Sequence, residues 1–99
     1  MRIAGKRVAK IIQTFVRKHC PEESLEAGTF CDPADWKARG ELYGLDSVLI
    51  VVHDGGALAP FCNHDYLNYV SMRRLAQRLK KAKFYIVQCT CWYSAVYKL

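Results

Sequence analysis

The chain has 99 residues, of which 52% are hydrophobic and 24% charged, and it carries a net charge of +6 at neutral pH. This length and balance exclude a large multidomain enzyme and a disordered chain. The absence of an apolar run near the roughly 20 residues that a bilayer crossing needs excludes a helical membrane span. One domain over residues 1–99 is expected.

The charges are segregated. Residues 1–21 hold Arg2, Lys6, Arg7, Lys10, Arg17 and Lys18 and no acid. Residues 22–65 hold every Asp and Glu of the chain and only Lys37 and Arg39 as cations. Residues 66–99 hold Arg73, Arg74, Arg78, Lys80, Lys81, Lys83 and Lys98, again with no acid. Basic ends around an acidic middle point to a nucleic-acid partner, an acidic protein partner, or internal pairing.

In chain order, residues 3–18 read as a helix. Val8, Ile12, Phe15 and Val16 recur at helical spacing, with Lys6, Lys10, Gln13 and Arg17 on another face. Cys20-Pro21 ends it, because proline disfavours helix at the residue before it. Within residues 20–44, Asp32-Pro33-Ala34-Asp35 has the form of a helix start, with Asp32 as cap. That helix should stop at Gly40, with Trp36 as its packing anchor.

Residues 45–53 form the clearest strand. Val48-Leu49-Ile50-Val51-Val52 is apolar on both faces, as in a strand covered on two sides. Gly55 and Gly56 terminate it. A helix over residues 66–82 follows, capped by Asn63 or Asp65 and striped by Tyr69, Met72, Leu75, Ala76 and Leu79. Residues 84–91 and 93–98 read as strands. No Gly or Asn marks the turn near Cys91-Trp92, so one long bent strand is the alternative to a hairpin. The expected fold is an α/β (α+β) two-layer sandwich of order α-(α)-β-α-β-β. Two main helices pack on a small mixed sheet of about three strands, with a β-α-β parallel crossover and an antiparallel last strand.

Five sets of residues carry possible chemistry. His53-Asp54 sits at a strand end, where ligands gather in α/β sheets. Adjacent strand side chains point to opposite faces, however, and Asp-Gly is an ordinary turn signal. His53, Cys62, His64, Cys89 and Cys91 are legal zinc ligands, but no Cys-x-x-Cys spacing is present. Cys20, Cys31, Cys62, Cys89 and Cys91 are odd in number and match no cysteine-protease signature. They read as free thiols, packed as small hydrophobes. The clustered Lys and Arg, with Tyr66, Tyr69, Tyr85, Trp92, Tyr93 and Tyr97, have the composition of a nucleic-acid footprint without a helix-turn-helix or RNP motif. The same Tyr, Trp and Arg residues are the types enriched at protein-binding hot spots.

Val48–Tyr66, with its Val-Leu-Ile-Val-Val-His-Asp-Gly-Gly core and the following Leu58-Ala59-Pro60-Phe61, and the ending Trp92-Tyr93-Ser94-Ala95-Val96-Tyr97-Lys98-Leu99 resemble small accessory proteins of bacteriophages and mobile elements. These include the anti-CRISPR and anti-defence type. The resemblance covers the C-terminal half and brings no catalytic residue with it. It implies a small inhibitor that acts in the host cytoplasm by covering a surface of a larger protein or ribonucleoprotein complex. The basic balance departs from the acidic DNA mimics of that group. Such a chain would instead press on an acidic protein face or compete for nucleic acid.

The reading that follows is a non-enzymatic interaction protein, with no cofactor, metal or catalytic residue expected, acting as a monomer or homodimer in the cytoplasm. Its expected contact residues are Arg73, Arg74, Arg78, Lys81, Trp92, Tyr93, Tyr97, His53 and Asp54. A nucleic-acid-binding accessory protein is the first alternative. The second is a small enzyme or metalloprotein centred on the His53-Asp54 loop.

Overall fold

The computed structural model describes residues 2–99, and Met1 lies outside them. The elements are α1 (Ile3–His19), β1 (Phe30–Cys31), α2 (Pro33–Ala38), β2 (Leu49–Val52), α3 (Ala59–Cys62), α4 (Tyr69–Lys81), β3 (Phe84–Gln88) and β4 (Tyr93–Lys98). A 3-10 turn occupies His64–Tyr66. The fold is α+β, built on a four-stranded sheet in the order β1-β2-β4-β3. None of the helices is long and apolar enough to cross a membrane among the described residues.

Helix α1 forms where its apolar stripe predicts, burying Val8, Ile12, Phe15 and Val16. Arg17, Lys18 and His19 occupy its last turn, where cations meet the negative end of the helix dipole. Asp32 caps α2, its Oδ1 accepting from the Ala34 N–H at 2.8 Å, with Pro33 next to the cap. Gly40 follows at φ +89°, a left-handed conformation that suits glycine and ends the helix.

Helix α4 starts later than residue 66. Asn63 does cap, accepting from the Asp65 N–H at 2.9 Å, but it caps only the 3-10 turn. Leu67 then turns left-handed at φ 55°, and Asn68 caps α4 through the Ser71 N–H. Of the expected stripe, Leu75 and Leu79 are buried, Met72 is half-buried, and Tyr69 and Ala76 are exposed.

The sheet departs from the expected one in two ways. It has four strands, because Phe30–Cys31 adds an antiparallel partner on the outer side of β2. It is also antiparallel at every pairing rather than mixed. Strands β2 and β3 both run antiparallel to β4, so they are parallel to each other with β4 between them, a split β-α-β arrangement. The burial of the strands gives the physical reason. Tyr93, Ser94, Ala95 and Val96 are all buried, so β4 needs neighbours on both sides. Strand β3 alternates buried Phe84 with exposed Tyr85 and Val87, which suits an edge.

Strands β3 and β4 form a hairpin. The Thr90 hydroxyl accepts from the Trp92 and Tyr93 N–H groups at 3.3 Å, closing the turn without glycine or asparagine.

Both faces of the sheet are covered. Leu49, Val51, Phe84 and Val96 pack under α1, α3 and α4 with Ile12, Phe15, Leu58, Phe61, Leu75 and Leu79. Ile50, Tyr93 and Ala95 pack on the other face with Trp36, which is fully buried. The second cover, α2 and the loop after it, goes beyond a two-layer sandwich. Gly44 shows how tightly that loop sits. At φ +77°, a Cβ on it would come within 2.8 Å of Ala95 Cβ and 2.9 Å of Ile50 Cδ1.

Candidate nucleic-acid interface

Helices α1 and α4 lie side by side on one face of the sheet, and neither contains an acidic residue. Their apolar stripes point down, so their cations are driven to the outer surface. A groove of about 470 Å³ runs between them. Ile11 and Phe15 contribute its apolar lining, and Lys18, His19, Arg74, Arg78 and Lys81 its basic lining. His19 packs on Phe15 with ring centroids 4.2 Å apart, and Phe15 meets Phe61 edge-on at 5.2 Å. These contacts anchor the C-terminal end of α1 beside the arginines of α4.

Lys81 extends the basic surface into a second groove with Arg7, Lys83 and Lys98. Arg7 is held there over the Phe84 ring, 5.9 Å from its centroid. Among the described residues the ion pair is Arg39–Glu41, at 4.0 Å and on a different element. No carboxylate among them lies within that distance of the cations of α1 and α4. Among the described residues, no ion pair within that distance joins the cations of α1 and α4 to the acidic middle of the chain.

The expected contact residues fall in three places. Arg74, Arg78 and Lys81 line the groove, and Arg73 is exposed beside them. The aromatic residues lie elsewhere. Trp92 and Tyr93 pack around Trp36, with centroids 5.5 Å and 5.0 Å from it, and Tyr93 is only 1% exposed. Its ring is core, not contact surface. Tyr97 is half-buried and stacks on Tyr85 at 5.3 Å. Tyr93, Ala95 and Tyr97 alternate toward the sheet face opposite α1 and α4. The sheet thus separates Trp92, Tyr93 and Tyr97 from the arginines of α4, while Tyr69 is exposed on α4 itself.

His53 and Asp54 make the third place. Asp54 is exposed, whereas His53 is 2% exposed, and its Nε2 pairs with Ser94 Oγ at 2.9 Å. Burial holds the imidazole below its ordinary pKa, against the opposing pull of nearby backbone carbonyls and Asp54. A serine beside a histidine has the outline of a nucleophile and its base. Yet Ser94 is itself buried, and no carboxylate among the described residues orients the ring, because Nδ1 has no partner.

The metal and thiol candidates also disperse. No group of three or more His, Cys, Asp or Glu side chains among the described residues is placed to hold a metal ion. Cys62 is buried and its thiol is pushed up to about 12 by desolvation, the opposite of an activated nucleophile. Burial also raises Cys20, Cys31 and Cys89. Cys89 and Cys91 lie in the hairpin turn, Cys91 exposed, so a shared strand face does not present them together.

The sequence sets the arginines of α4 beside Trp92, Tyr93 and Tyr97, which the structure places on the other side of the sheet. The expected contact residues do not include Lys18, His19, Arg7, Lys83 and Lys98, which line the two basic grooves. The usable signal was the shared lack of acid in residues 1–21 and 66–99. Compared with protein-family models, curated proteins and solved structures, the chain has no match.

Proposed function

We propose that the chain is a non-enzymatic binding protein that takes nucleic acid along the groove between α1 and α4. One observation carries this reading. Two adjoining helices without a single acid converge Lys18, Arg74, Arg78 and Lys81 on one groove, and no ion pair among the described residues neutralises them. Such a surface attracts the phosphate backbone and releases its counterions. The apolar lining from Ile11 and Phe15 gives a sugar or base something to rest on. The resemblance to phage-type anti-defence proteins supports a setting for this activity. A chain that occupies the nucleic acid of a larger host complex inhibits it by occlusion.

The test is a binding titration of labelled single-stranded RNA and duplex DNA against salt. Binding should be present at low salt, and log K should fall against log salt with a slope of about −3 to −4, as for about four phosphate contacts. The Arg74→Glu/Arg78→Glu double variant should flatten that slope by about two. Absence of binding to both probes at low salt refutes the reading, and an acidic protein partner then takes its place.

A further inference from the structure

We propose that the chain forms a two-fold dimer in which β3 pairs antiparallel with β3 of a second copy, centred on Ile86, so that the two sheets run on as one. The two edges of the sheet are unlike. Strand β1 has two residues and offers a short template, whereas β3 has five, Phe84–Gln88, with no charge, proline or glycine among them. Shortness, charged side chains and proline are the usual protections of an edge, and β3 has none of them.

The register shows which groups this edge offers. Tyr85 pairs with Tyr97 and Val87 with Ala95. The same rungs continue beyond the strand, where the Cys89 N–H donates to the Tyr93 carbonyl and the Leu99 N–H to the Lys83 carbonyl. Antiparallel rungs alternate, so Tyr85 and Val87 direct their backbone groups at β4, and Phe84, Ile86 and Gln88 direct theirs away from it. Among the described residues no hydrogen bond within the chain uses these outward groups. A cleft of about 410 Å³ opens beside them, lined in part by His64, Ile86 and Gln88.

The occupant that fits this edge is the same strand. With the two-fold axis at Ile86, Ile86 meets its own copy and Phe84 meets Gln88 of the second copy, so the outward groups of both strands find partners. Tyr85 then lies across from Val87 of the second copy, on both sides of the axis. Both side chains are exposed in the single chain, and an aromatic ring against a β-branched side chain is a favourable cross-strand pair. Charge agrees with this direction. The Phe84 end is basic, with Lys83 before it and Lys98 paired to it. The Gln88 end is acidic. Asp65 follows His64, whose N–H donates to Gln88 Oε1 at 2.9 Å. Asp46 is near enough to Cys89 to add to the rise that burial imposes on its thiol. Antiparallel pairing sets each basic end against an acidic one. The dimer does not depend on nucleic-acid binding.

Nucleic-acid-free protein is followed by sedimentation equilibrium and amide hydrogen exchange from about 1 µM to about 1 mM, a span that covers small, weak interfaces. The mass should rise toward twice that of the chain. The Phe84, Ile86 and Gln88 amides should be unprotected at the low end and protected at the high end, while those of Tyr85 and Val87 are protected at both. The Tyr85→Lys/Val87→Lys and Tyr85→Glu/Val87→Glu variants alter exposed side chains and should keep the native circular dichroism spectrum. Each alone should dimerise about tenfold more weakly, and their equimolar mixture should restore the dimer mass. A wild-type chain that stays a monomer at the high end overturns the proposal and leaves the edge to a strand of another protein. So does a dimer whose Phe84, Ile86 and Gln88 amides stay unprotected. A mixture of the two folded variants that fails to pair overturns it as well.

Discussion

The two faces of the sheet solve the same problem with different material. One face is covered by α1 and α4, of 17 and 13 residues, whose apolar stripes bury a broad aliphatic core. The other is covered by the six residues of α2 and a loop, and it relies on a few large rings, chiefly Trp36 and Tyr93. Long amphipathic helices leave a long outer face free, and here the charged residues of that face are all basic. A short cover has no such spare face. There Arg39 lies 4.4 Å above the Trp36 ring and reaches toward Glu41. Function is thus expected on the helical face, and a concentrated share of stability on the other.

Four measurements would break or sharpen that contrast. The largest effect is expected from Trp36→Ala. It removes a fully buried anchor from a small cluster and should cost about 3–5 kcal/mol in urea unfolding. Protein that remains folded should still bind nucleic acid with unchanged salt slope. Loss of the slope would show that the two faces are coupled.

Next comes Arg74→Glu/Arg78→Glu. Affinity for nucleic acid at low salt should fall about 100-fold, or about 2.7 kcal/mol, while stability moves by less than about 0.5 kcal/mol. A large stability loss would mean that these arginines serve the fold instead.

Gly44→Ala should destabilise by about 1–3 kcal/mol, from a strained positive φ and overpacking against Ala95 and Ile50. The comparison is Gly56→Ala, where an added Cβ meets nothing, and the midpoint of unfolding should hardly change.

The smallest effect concerns pH. His53 has its folded pKa lowered by burial, so the unfolded chain takes up a proton more readily. The stability that His53 contributes is therefore fully present above its unfolded pKa of about 6.5 and is lost as pH falls through and below it. Unfolding midpoints at successive pH values should show this decline, and His53→Gln should flatten it. An equal decline in the variant would assign it to other groups.

Much of this fold is legible in the residues because its signals are local. The spacing of Val8, Ile12, Phe15 and Val16 marks α1. Asp32-Pro33 marks α2, and the continuous apolar run before His53 marks a strand covered on both faces. The break at Leu67 is not legible, since a left-handed leucine carries no composition signal. Nor is β1, whose two residues become a strand only by pairing with Ile50 and Val51. Of the candidate interface, Arg74, Arg78 and Lys81 are visible as a cluster on one helix. Lys18 and His19 are not, because their neighbours lie more than fifty residues away in the chain.

By itself, then, the sequence determined the element types, the double burial of β2 and the segregation of charge, all of which follow from periodicity and composition. Only the tertiary structure decided strand order and the company each side chain keeps. Insertion of β4 between β2 and β3 places Tyr93 and Tyr97 on the face away from the helices, so these rings and the cations of α4 end on opposite sides of the sheet. The pleat fixes that separation. Successive side chains of a strand must point to opposite faces, and which face meets the helices is settled only when the hydrophobic stripes of α1 and α4 find it.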